Sequence, residues 1–190
     1  SLDLFQVSKI NKIVVKKPDS KIKLKYLRDT EIDIECDELT LEAKEEFKKE
    51  NITLNIKKLN LLNTGFNDSD DLSPVIQNSK NLTSLNFLNC FNMNLDIKII
   101  EELKTLESLK FTNCDFIKEQ GKQQELDLYK LCENNASLKT IVLFESDLIV
   151  NLEDIFKIAE IPLVESDRGT EDKQGRVDSI NVQGGEVVTE

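Results

Sequence analysis

Between Leu82 and Leu148 the apolar residues fall into one pattern three times. The copies are Leu82-Thr-Ser-Leu85-Asn-Phe87-Leu-Asn-Cys90, Leu106-Glu-Ser-Leu109-Lys-Phe111-Thr-Asn-Cys114 and Leu138-Lys-Thr-Ile141-Val-Leu143-Phe-Glu-Ser146. Each has apolar residues at positions 1, 4 and 6 and a small polar residue at position 9. A fourth copy, Ile56-Lys-Lys-Leu59-Asn-Leu61-Leu-Asn-Thr64, precedes them, and a degenerate fifth is read at Ile32-Asp-Ile34 with Asp37 at position 9. Two apolar residues flanking one variable residue predict a short strand that buries every second side chain. Position 9 is expected where the chain bends off the strand, too tight for a bulky side chain. With position 6 as marker, the copies fall at Ile34, Leu61, Phe87, Phe111 and Leu143, in steps of 27, 26, 24 and 32 residues.

The intervening segments carry helical spacing instead. They hold Leu72, Val75 and Ile76; Ile97, Ile99, Ile100 and Leu103; Leu126, Leu128, Leu131 and Cys132; and Leu152, Ile155, Phe156 and Ile158. Pro74 suits a helix start. Leu39, Ala43 and Phe47 recur every fourth residue and predict a helix over 39–50, with Glu45 and Lys49 as a supporting pair. Upstream, Lys16 to Ser20 breaks an apolar run, and Ile22, Leu24 and Tyr26 alternate with lysines as a half-exposed strand. Arg28-Asp29-Thr30 is read as the turn into Ile32–Ile34, the pair forming a cap. The predicted organisation is an N-terminal cap with a degenerate repeat over 1–50, about four repeats over 51–165, and a C-terminal cap or flexible tail over 166–190. Lys118 to Gln124 is a polar excursion that lengthens the last step.

The L-x-x-L-x-L-x-x-N/C spacing resembles that of leucine-rich repeat proteins. The helical length of the outer segments resembles the ribonuclease-inhibitor-like and cysteine-containing classes. The resemblance implies an α/β fold: a right-handed solenoid with a concave parallel β-sheet, convex helices and an N-terminal β/α cap. It also implies a binding module rather than a catalyst.

Composition narrows the function classes. The formal charge of −11 and pI near 4.7 argue against nucleic acid, which calls for a concentrated positive face. They permit a basic protein partner, and they also fit a surface kept acidic for solubility. Histidine is absent, so neither a Ser-His-Asp or Cys-His arrangement nor a His-ligated metal can form. The cysteines Cys36, Cys90, Cys114 and Cys132 form no C-x-x-C pair and are read as packed thiols. No metal, cofactor, catalytic residue, signal peptide or membrane span is expected. Sequons at Asn51, Asn67, Asn81 and Asn135 favour secretion only slightly in so Asn-rich a chain. The expected location is intracellular, cytoplasmic or nuclear.

In the resembled family the concave sheet face binds the partner. The outward strand positions would then carry the site. Position 5 gives Asn60, Asn86, Lys110 and Val142; position 7 gives Leu62, Leu88, Thr112 and Phe144; position 8 gives Asn63, Asn89, Asn113 and Glu145. The large apolar residues at position 7 form a ridge beside an asparagine ladder, a mixture suited to recognising a protein. Two structural readings stay open: the ridge packs under a terminal segment of this chain, or the ladder only ties neighbouring units together. The function expected is a non-catalytic protein-interaction module. The alternative is a regulatory subunit or adaptor in a larger assembly, of F-box-like or GTPase-activating type. Against the latter, Arg28, Arg168 and Arg176 all lie outside the repeats. A protein partner is expected, without nucleic acid or membrane, and self-association through an edge strand remains open.

Overall fold

The computed structural model describes residues 2–4, 11–25, 30–42, 52–66, 71–159, 179–183 and 186–188. Its strands are β1 (Leu2–Leu4), β2 (Lys12–Lys25), β3 (Glu31–Glu42), β4 (Ile52–Leu62), β5 (Ser84–Leu88), β6 (Ser108–Thr112), β7 (Glu125–Leu126), β8 (Thr140–Phe144), β9 (Ile149–Asn151), β10 (Ser179–Gln183) and β11 (Glu186–Val188). Its helices are α1 (Ser73–Asn78), α2 (Ile97–Glu101), α3 (Leu128–Asn134) and α4 (Leu152–Ala159). One sheet takes eight strands in chain order, β1-β2-β3-β4-β5-β6-β8-β10, and every pairing in it is parallel. A smaller parallel sheet has the order β11-β9-β7.

This corrects the expected helix-backed solenoid. The molecule is dominated by its parallel sheet, and the described helices are only 5 to 8 residues long. None occurs before Ser73 among the described residues. The expected β/α cap is replaced by three long strands of 14, 12 and 11 residues. Leu39 to Glu42, assigned to a helix by periodicity, belong to β3; the rest of that predicted helix, 43–50, lies outside the described residues. Lys16 to Ser20 does not end a strand. β2 runs through it with a register irregularity between Lys17 and Lys21, and the Ser20 hydroxyl donates to the Lys17 carbonyl. The strands on either side of the turn read at Arg28–Thr30 are parallel, and Arg28 and Asp29 themselves lie outside the described residues.

The register also relocates the early repeat. Residues in line across the sheet are Leu4, Leu24, Leu41, Leu61, Phe87, Phe111, Leu143 and Val182. The equivalent of position 6 in β3 is therefore Leu41, not Ile34. The steps between these residues are 20, 17, 20, 26, 24, 32 and 39. The inward residues change phase within each long strand. In β3 they are Ile32, Ile34 and Cys36, then Leu39 and Leu41; in β4 they are Leu54 and Ile56, then Leu59 and Leu61. A strand alternates faces strictly, so keeping both apolar sets inside requires this one-residue slip. It falls at Asp37 and Lys57, which pair at 3.8 Å.

From β5 onward, short strands that bury every second residue alternate with short helices. An Asx side chain sits at the start of each: Asp71 accepts from Ser73 N, Asp96 from Lys98 N, Asp127 from Lys130 N and Asn151 from Glu153 N, all at 2.9 Å. Asp96 and Asp127 are N-caps, which contribute about 1 kcal/mol each, whereas Asp71 precedes the α1 N-cap Leu72, which makes no side-chain capping bond. The core between strands and helices includes Phe87, Phe111 and Phe116. Their ring centroids are 5.3 Å apart for the first pair and 5.2 Å for the second.

Candidate functional site: the outward face of the sheet

Positions 4 and 6 are buried in all four copies, so the residues between and after them line the opposite face. At position 5, Asn60, Asn86 and Val142 are half-buried and Lys110 is exposed. At position 7, Leu62, Leu88, Thr112 and Phe144 are all half-buried. Parallel pairing sets Leu62 beside Leu88, Leu88 beside Thr112 and Thr112 beside Phe144. The apolar ridge is thus interrupted by one threonine. Its members stand partly in solvent.

The chain leaves the strand at position 8, one residue before the expected bend. Asn63, Asn89, Asn113 and Glu145 have φ of 48°, 53°, 50° and 50°. This left-handed region is costly for most L-residues, and asparagine tolerates it best after glycine. Position 9 then has its own task. Cys90 Sγ donates to the Leu61 carbonyl at 3.3 Å, Cys114 Sγ to that of Phe87 at 3.3 Å, and Ser146 Oγ to that of Phe111 at 3.0 Å. Each ties its unit to the position-6 carbonyl of the unit before. Burial and the neighbouring Asp37 and Glu38 push the Cys36 thiol up to about 11, and the Cys114 thiol and burial push Cys90 up as well. Neither is a ready thiolate nucleophile.

The asparagines form two rows. At position 8, Asn63 Nδ2 donates to Glu42 Oε1 at 3.2 Å, Asn89 Nδ2 to Asn63 Oδ1 at 3.0 Å, and Asn113 Nδ2 to Asn89 Oδ1 at 3.0 Å. At position 5, Asn86 Nδ2 donates to Asn60 Oδ1, and Asn60 Nδ2 to Glu38 and Thr40. Both rows run into charged pairs on the first strands, Lys21 with Glu38 at 3.4 Å and Lys25 with Glu42 at 3.3 Å. The surface there is a lattice of cross-strand pairs that also includes Lys12–Glu31 and Lys16–Asp33.

Two features beyond the predicted positions are part of the scaffold. The buried amide of Gln124 accepts from Ile97 N at 2.9 Å and donates to the carbonyls of Leu95 and Ile117. Asn135 accepts from Leu106 N at 2.8 Å and donates to the Leu131 carbonyl. Both lie outside the repeated pattern, so periodicity does not reveal them. Around the strand ends, Asn92, Asn94, Asp115, Phe116, Ile117, Lys118 and Asp147 line an open cleft. Phe91 beside it is 48 % exposed. Among the described residues, no group of three or more Cys, Asp or Glu is placed to hold a metal ion. No described helix is long and apolar enough to cross a membrane.

Comparison with protein-family models, with curated proteins and with solved structures finds no match for this chain.

Proposed function

We propose that the chain is a non-catalytic protein-interaction module, and that the outward face of its large sheet receives the partner. The observation that carries this reading is the row of Leu62, Leu88 and Phe144, half-buried on a strand face beside ordered asparagine amides. Apolar side chains held rigidly among polar groups gain by losing the rest of their contact with water. The asparagines are already fixed by one another, so little side-chain entropy is lost when they meet a partner. The spacing that resembles the leucine-rich repeat supports the same reading, since in that family the sheet face is the usual binding surface.

The experiment is capture from the source cell's lysate with the intact chain and with Leu88→Asp. The variant is expected to lose the partner while its Tm stays within a few degrees, because Leu88 is only half-buried. A partner retained by Leu88→Asp would remove the sheet face from consideration. A collapse in stability would show that Leu88 belongs to the core.

A further inference from the structure

The position-8 row has a direction. Each asparagine donates its amide toward the N-terminal side and accepts from the C-terminal side, from Asn113 through Asn89 and Asn63 to Glu42. At that first end the row closes well: Glu42 also takes the Lys25 ammonium at 3.3 Å. At the other end the next strand offers Glu145. A carboxylate cannot donate. Asn113 Oδ1 and the exposed Glu145 carboxylate, successive in the position-8 row, are thus both acceptors, and among the described residues neither receives a hydrogen bond. Reversing every amide would not cure this, because the mismatch would move to Asn63 and Glu42. A row of amides between two carboxylates can satisfy only one of them.

Glu145 also sits at φ 50°, where the three other units have asparagine. An asparagine there would suit the backbone better and would complete the row. The neighbouring acidic groups Asp115 and Asp147 deepen the negative character beyond the strand ends, with Lys118 in the same cleft and Lys110 on the adjoining row.

Resting on the sheet-face reading above, the geometry points to a partner segment that places a lysine or arginine side chain between Asn113 Oδ1 and Glu145, alongside the Phe144 end of the apolar ridge. The fold closes the opposite end of the row with a lysine of its own, and the partner supplies the equivalent cation here. Charge-assisted hydrogen bonds of this kind are about twice as strong as neutral ones.

The test uses a small probe on the intact chain. N-acetyl-arginine-amide is titrated while the asparagine side-chain amides are followed by 15N NMR. The expected result is a saturable shift at Asn113, absent with neutral N-acetyl-citrulline-amide, and about tenfold or more weaker in Glu145→Asn, consistent with loss of a close charge pair. The same variant is expected to melt higher than the parent, because its amide completes the row. Glu145→Gln, which keeps the side-chain length, provides the same readout should the asparagine variant not fold. No shift at Asn113, an equal shift in the variant, or a lower Tm on completing the row would each overturn the inference. Loss of the Asn113 shift with partner capture still sensitive to Leu88→Asp would sink the cation anchor alone. The converse result would sink the ridge and leave the anchor standing.

Discussion

The two halves of the large sheet solve one problem differently. Along β1 to β4 the chain returns to the same register every 17 to 20 residues; from β4 to β8 it takes 24 to 32. An extended chain covers about 3.3 Å per residue and a helix about 1.5 Å. The described parts of the short steps are strand, and the longer steps hold a turn or two of helix. In the first half the length goes into strands of 11 to 14 residues that bury two apolar sets with one phase slip. In the second half it goes into helices of 5 to 7 residues, with an Asp at or just before the N-cap of each. The surfaces differ in the same sense. Long facing strands give lysine and acid many cross-strand partners, whereas short ones leave room for apolar and amide side chains. The difference teaches that, among the described residues, helix occurs only where the step is longer.

The largest expected effect is on the second half, where aromatic side chains fill the space between sheet and helices. Phe87→Ala should lower unfolding free energy by about 3–5 kcal/mol in denaturant titration, since the ring is fully buried. A loss near that of an exposed residue would mean the helical half is loosely packed. Next is Gln124→Ala. It strands the Ile97 amide and the Leu95 and Ile117 carbonyls, and should cost about 1–3 kcal/mol. The long-strand half has no counterpart to this buried amide among the described residues.

A smaller effect, with its own sign, concerns Glu101 on α2. It is fully buried, Oε2 lacks a partner, and its Lys98 pair at 3.1 Å is the one compensation on its own helix. Burial raises its pKa despite Lys98 and Lys130. A carboxyl whose folded pKa is raised penalises the fold when ionised, and the penalty fades as pH falls through that pKa. Glu101→Gln should therefore melt higher than the parent at neutral pH, with the gap closing on acidification toward the ordinary glutamate range. A gap that widens in acid would reverse the assignment. The smallest effect belongs to the charged lattice. The Lys12–Glu31 pair is more than half exposed, so molar salt should leave the Tm almost unmoved. A large salt-induced loss, read by thermal melts, would make those pairs structural rather than decorative.

Strands β4, β5, β6 and β8 were legible because positions 4, 6 and 9 repeat with the same chemistry, whereas β7 falls in a segment read as helical. The meaning of position 8 was not: the bend was expected at position 9, and only the backbone angles show that the recurring asparagine stands where a left-handed residue is needed. The early register was not. Ile32–Ile34 and Leu39–Leu41 are equally good alternations, and only pairing with Leu59 and Leu61 decides between them. Leu39, Ala43 and Phe47 add a helical period across what begins as strand. The direction of the amide row lay beyond any pattern of apolar positions, because it depends on which oxygen meets which nitrogen.

Strand order in the large sheet equals chain order. A unit can therefore be copied, lost or lengthened within the gene without rethreading any other, as the uneven steps up to 39 residues illustrate. The new copy needs only an asparagine at its bend and a small hydrogen-bond donor after it to join its neighbours. Duplication would lengthen the amide row by one rung and carry its unmatched end along with it.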